Sequence, residues 1–305
     1  MLRGRAPGKV RRVNFPSSFP VKVNMELEDW VRGWNRSAIT VVLILFAATA
    51  LLAQENPQQL VQETIQNELR GSQHPNYWMY RDSDTVSGKT KVHRVVETPQ
   101  CRFRWLLSIN GQPPTAEQQQ QQQAKIDRLV SDESARQKSR AAVQQDSHKA
   151  EDLMKMLPDA FLYTYDGEQG DEIRLKFRPN PQFSPPTNAA KVFHNMQGEL
   201  LINKREKRLA GMDGTLTHNV DFGWGILGKL YQGGTFKVRQ SEVGPQDWEM
   251  TMLDVHIHGR ALFFHTISQD QTEHMTEFQS VPKNISLTQA ASLAEHGNLN
   301  AAAKP

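Results

Sequence analysis

The 305-residue chain has one cysteine, Cys101, so it can form no internal disulfide and builds no cysteine-rich zinc module. Its apolar run, residues 38–53, is 16 residues long, short of the roughly 20 that a membrane-spanning helix needs. No H-E-x-x-H or G-x-S-x-G motif occurs, which removes the helix-borne zinc protease and the strand–elbow hydrolase. No alternation of strand and helix patterns supports a doubly wound nucleotide fold. Net charge is small, at +3, and unevenly placed. Residues 1–53 hold eight basic and three acidic groups, leaving 28 basic against 30 acidic in the remainder. A sheath of positive charge for nucleic acid is therefore excluded for residues 54–305.

What is present begins with an export leader. Arg32 and Arg36 precede the uncharged residues 38–53, and Ala48, Ala50 and Ala53 close them. Charge, apolar run and small residues in that order predict a cleaved secretory signal over residues 1–53, with Met25 as an alternative start that gives a leader of ordinary length. The expected domain spans 54–296, followed by a disordered tail at 297–305.

Asn56-Pro57 opens a helix whose stripe Leu60, Val61, Ile65, Leu69 ends at Gly71. Period two then takes over. Cys101, Phe103, Trp105, Leu107 and Ile109 alternate with polar residues, as do Ile173, Leu175 and Phe177. Leu216, Val220 and Phe222 follow the same rule with His218 on their side, then Phe236 and Val238, then Thr251, Leu253, Val255 and Ile257. Turns are expected at Asp166-Gly167, Asp213-Gly214, Gly233-Gly234 and His258-Gly259. The reading is mainly β (α+β): an antiparallel sheet with one apolar face, covered by the first helix and another near Ser286–Glu295. Residues 113–157, with six consecutive glutamines at 118–123, read as a solvated helical insertion, or as an arm for an envelope partner.

In order along the chain stand Tyr77-Trp78-Met79-Tyr80-Arg81, Ile109-Asn110-Gly111-Gln112-Pro113, Leu157-Pro158-Asp159-Ala160-Phe161, Gly198–Lys204 and Phe222-Gly223-Trp224-Gly225. Together these segments resemble a family of bacterial envelope proteins, similar in architecture to the LolA/LolB-like lipoprotein-sorting fold. The resemblance covers about residues 55–285. It implies a curved antiparallel half-barrel over helices, an apolar cavity that takes a lipid, an acyl chain or a lipid-modified partner, and a place in the periplasm or cell envelope. It carries over no catalytic residue and no cofactor, and the expectation is a non-enzymatic protein without a nucleic-acid partner.

Local motifs add little chemistry. Gly223–Lys229 has G-x-G-x-x-G spacing, yet Gly233-Gly234 follow too soon for the helix that a pyrophosphate needs, so a glycine-rich crossing is expected. His256 and His258 share one side of a strand with Asp254, and His265 lies on the next strand; these form a weaker metal alternative, for a metal-dependent hydrolase. Cys101 belongs to an apolar strand face, where thiols are inert. The cavity lining expected from alternation is Thr251, Leu253, Val255 and Ile257, with Leu262 and Phe264 on the following strand. Met250, Met252, Asp254, His256 and His258 should point the other way, toward solvent.

The leader yields the first prediction. N-terminal sequencing of protein from a periplasmic fraction should begin near Gln54, whereas protein that keeps Met1 or Met25 and resists carbonate extraction would show an uncleaved anchor.

Overall fold

The computed structural model describes residues 56–73, 76–222, 228–261 and 265–298. Residues 1–53, Leu262, Phe264 and the tail beyond Asn298 lie outside the described residues.

Twelve strands form one antiparallel sheet. They are β1 (Tyr77–Val86), β2 (Lys89–Glu97), β3 (Arg102–Ile109), β4 (Phe161–Gln169), β5 (Glu172–Pro179), β6 (Met196–Asn203), β7 (Leu209–Leu216), β8 (Val220–Phe222), β9 (Gly228–Leu230), β10 (Thr235–Gly244), β11 (Asp247–Ala261) and β12 (His265–Val281). The order is β3-β2-β1-β12-β11-β10-β7-β6-β5-β4, with the short pair β8–β9 attached to β11. Among the described residues four α-helices accompany it: α1 (Pro57–Ser72), α2 (Ala116–Ser131), α3 (Glu133–Ala160) and α4 (Leu287–His296). Mainly β with helices is what the alternation predicts.

Caps place the helices. Asn56 accepts from the Gln58 amide at 2.9 Å with Pro57 in the first turn. Thr115 with Gln118, and Ser286 with Gln289, form reciprocal capping boxes, and Gly297 at φ 70° ends α4.

Cross-strand pairing carries one row of side chains along a single face of the sheet. Leu175, Leu200, Met212, Val238, Leu253, Glu273 and Asp84 are successive partners on β5, β6, β7, β10, β11, β12 and β1. The row is fully buried at Leu175 and Leu200, half-buried at Val238 and Leu253, and charged from Glu273 on. Its apolar end packs under α1 and the last turns of α3, around Phe161, Phe177 and Phe193. The second core lies on the opposite face of β1–β3, where the partners Met79, Val96 and Phe103 meet Leu293 of α4 and Ile126 of α2. Each wing of the sheet thus has its own core, and among the described residues the α-helices pack mainly on the wings rather than on the middle strands β10–β12.

The 113–157 insertion is α2 and α3, and it is less solvated than its composition suggests. Ile126 is buried, and Gln122 bonds the open edge of β3 through the Leu106 amide, at 2.5 Å. Helix α3 runs on through Pro158 to Ala160, where a strand was expected to resume, and Leu157 and Ala160 join the first core. Between the two docked ends, residues 141–150 are exposed.

Three of the four expected glycine turns are strand interiors. Gly167 sits at a bulge within β4, Gly214 within β7 and Gly259 within β11; only Gly233 (φ 86°) makes a turn. A Cβ on Gly214 would meet the Phe236 ring at 2.1 Å, and one on Gly259 would meet the Lys229 carbonyl oxygen at 2.3 Å. The strand expected across 215–222 breaks instead at Thr217–Asn219, which leaves His218 exposed rather than on the apolar side.

The row also ranks its members. Leu200→Ala should cost about 3 kcal/mol in urea unfolding, and Leu253→Ala, only half-buried, about 1 kcal/mol. Equal losses would show that the middle strands are covered after all.

Candidate functional site: a cleft where the sheet divides

The last pair joining β11 to β12 is Met252 with His274. Beyond it, Asp247–Thr251 stays with β10, while Met275–Val281 stays with β1. The sheet therefore divides at this end, and the two branches are stitched by single contacts. Asn76 donates to Asp247 at 2.8 and 2.6 Å, and the Trp78 ring lies where a Cβ on Gly244 would be.

Two cavities of about 450 and 410 Å³ occupy the region between these branches and α3, and both are lined by Ser72, Asn76, Ser147 and Glu151. The first reaches the β2–β3 turn, with Glu97, Arg102 and Tyr77 in its wall. The second is closed by α1 and by the start of β11, through Leu69, Trp248, Glu249 and Met250. Helix α3 roofs both. It is fixed at one end by Arg136 donating to the Leu129 and Val130 carbonyls, and nearby by Arg140 donating to the Gln100 carbonyl at 2.9 Å. At the other end Leu153, Met154 and Leu157 pack into the first core.

The walls carry charge, most of it paired. Glu68 is buried; it receives Arg208 through two nitrogens at 2.8 and 3.0 Å and the Leu209 amide at 2.7 Å. Arg102 bonds Glu97 at 2.6 Å. Glu249 is half-buried, and burial together with the Glu97 and Asp247 carboxylates pushes its carboxyl up to about 7. Farther along the same face, Asp82 is only 1% exposed and bonds Arg104 at 2.5 Å. Burial and the neighbouring Asp82 raise Glu273 to about 7, and burial beside Arg104 lowers His93 to about 4.

The expected lining residues lie elsewhere. Leu253, Val255 and Ile257 share the face of the first core, yet they are half-buried and line neither cavity; their partners on β12 are Glu273, Gln271 and Gln269. Thr251 leaves the set altogether. A bulge opposite Arg239 makes it an extra residue, with its hydroxyl 3.4 Å from the Arg239 carbonyl oxygen and from the Ser241 hydroxyl. The same slip turns Met250, expected outward, into the cavity wall. Alternation alone could not show the bulge, because it is defined by the partner strand.

His256 and His258 are exposed on the opposite face, as expected for them. The His256 nitrogens lie 3.1 Å from Asp254 and from Asp270, and His258 Nδ1 lies 3.1 Å from the Ser268 hydroxyl. The Asp270 hydrogen bond raises the His256 pKa. Among the described residues, no group of three or more His, Cys, Asp and Glu is disposed to hold a metal ion, and the side chain of His265 is outside them. The metal alternative is not supported by these contacts. Cys101 is buried, its thiol pushed up by burial. Residues 223–227 of the glycine-rich motif lie outside the described residues, and Gly228–Leu230 after them is a strand rather than a helix.

Among the described residues no helix is long and apolar enough to cross a membrane. The sequence matches no protein-family model and no curated protein.

The raised carboxyl on β12 predicts a pH dependence. A carboxyl whose folded pKa lies above its unfolded value favours the folded state most at low pH, and that contribution is lost as pH rises from about 4.5 toward 7. Unfolding at pH 5 and pH 8 should show a smaller loss across the interval for Glu273→Gln than for the parent chain; an unchanged loss would remove Glu273 as its source.

Proposed function

We propose that this chain is a non-enzymatic binding protein of the cell envelope, a half-barrel whose divided end takes a lipid or acyl chain beneath helix α3. The observation that carries the reading is the roofed space itself. It lies between two separately packed wings, and Leu69, Met154, Trp248 and Met250 give it an apolar wall. Curvature of the sheet toward this side is supported by the reach of Glu97, on β2, to the neighbourhood of Glu249 on β11, with β1 and β12 between them in strand order. The absence of a nucleophile–base pair from the local motifs and the resemblance to lipoprotein-sorting proteins point the same way, and the leader supplies the route to the envelope.

The α2–α3 segment serves this reading as a roof, since its two ends hold one wing each. A role as a detachable partner-binding arm is less consistent with Ile126 and Leu157 being buried.

Native mass spectrometry of protein purified from membranes should show a co-purifying lipid mass. Ala150→Trp, which fills the second cavity from the roof, should lose that mass while keeping the unfolding midpoint within about 0.5 kcal/mol of the parent. Clean apo protein in both samples would count against the reading.

A further inference from the structure

The β10–β11 hairpin leaves the sheet on both sides at the same rung. The last pair joining β10 to β7 is Arg239 with Gly211, and the last joining β11 to β12 is Met252 with His274. Arg239 and Met252 are each other's partners, and the bulge at Thr251 follows directly. A bulge bends its strand and interrupts the ladder, so both breaks and the bend coincide at one place. The hairpin Gln240–Thr251 is therefore a two-stranded flap on a single hinge. None of its residues is buried, and none belongs to either core.

The flap stands between the wings and is held by few contacts. On one side Trp248 donates to Glu206 at 2.9 Å, and Glu242 meets Arg205 at 2.9 Å. On the other, Asp247 takes the Asn76 amide, and the Trp78 ring lies against the tip at Gly244. This docked arrangement leaves polar groups unmatched. Trp78 is only 5% exposed, yet its indole N–H meets no acceptor, and the buried side-chain oxygen of Gln240, at the base of the flap, meets no donor. Each raises the energy of the docked form and is relieved once water reaches it. Gln240, Trp248 and Met250 belong to the wall of the second cavity, so displacing the flap opens that cavity.

Resting on the acyl-binding reading above, we propose that this flap is the door of the second cavity. It swings about the Arg239–Met252 rung, and the contact of its tip with Trp78 and Asn76 is the latch. The roof need not move, because helix α3 is fixed at both ends.

The test uses the full chain and a dansyl-labelled undecanoate probe, followed by stopped-flow fluorescence. Ser280, the cross-strand partner of Trp78, and Pro245 at the tip are exposed and line neither cavity, while Cys101 is buried. Tying Ser280→Cys to Pro245→Cys with a cleavable thiol cross-linker should slow uptake at least about tenfold, and cleaving the linker should restore it. Gly244→Ala, whose Cβ would lie 2.7 Å from the Trp78 ring, should raise the association and dissociation rates together, each about threefold, with the dissociation constant unchanged. Uptake unaffected by the tie, or both rates unchanged in Gly244→Ala, overturns the door and leaves the acyl cavity standing. Failure of the untied chain to bind the probe overturns the acyl reading and the door together.

Discussion

Antiparallel pairing holds a residue to its partner, and one pair decides the architecture of this protein. Up to Met252 and His274, β11 and β12 are joined and the sheet is continuous. Past that pair each follows its other neighbour, and the ten-strand row becomes two wings sharing a spine. The four described α-helices do not gather on one face of so wide a sheet. The wings therefore bury opposite faces, the first beneath α1 and the last turns of α3, the second beneath α4 and α2. Between them the strands are long, half-buried and polar enough to meet water.

The charged groups follow from the same division. Where two layers diverge, side chains leave water without entering a packed core, and each needs a partner of its own. The Glu68–Arg208 pair answers that need at one wing by joining α1 to the start of β7, with the Leu209 amide as a third ligand to the carboxylate. Arg104 answers it for Asp82 at the other. Burial raises Glu273 first, and because Asp82 shares that space, one of them holding a proton is cheaper than both being ionised, which raises it further.

Much of this fold was readable from residues, and the boundary of what was readable is itself informative. Helix α1 was legible because a cap, a proline and an apolar stripe agree, and Cys101, Phe103 and Ile173–Phe177 because alternation survives wherever one face is buried. Glycine misled at residues 167, 214 and 259, since a positive φ at a bulge (Gly167), close approach of another strand (Gly214 and Gly259) and a turn all call for the smallest residue and look alike in one dimension. The cavity wall was missed for a related reason. Thr251, Leu253, Val255 and Ile257 alternate without a break in sequence, and only the partner β10 reveals the bulge that removes Thr251 and brings Met250 inward. The polarity beside Leu253 on its own face comes from Gln269, Gln271 and Glu273, residues of another strand.

The insertion shows how composition can be right and its interpretation incomplete. Its apolar residues gather at the two ends, Ile126, Leu129 and Val130 in one group and Leu153, Met154, Met156 and Leu157 in the other, with polar residues between. A free excursion has no reason to end in a second apolar group, whereas a helical segment that must reach two separate cores, one through α2 and the other through the last turns of α3, needs one at each end and none in the middle. The 28 residues of α3 reach about 42 Å at the α-helical rise, long enough to cross from one wing to the other. The polar centre is then a consequence of what lies under it: a cleft lined by Glu97, Arg102 and Glu249 rather than a packed layer, so leucines there would face charge below and water above. The same pattern that reads as solvated in isolation is what a roof over a polar-ended cavity requires.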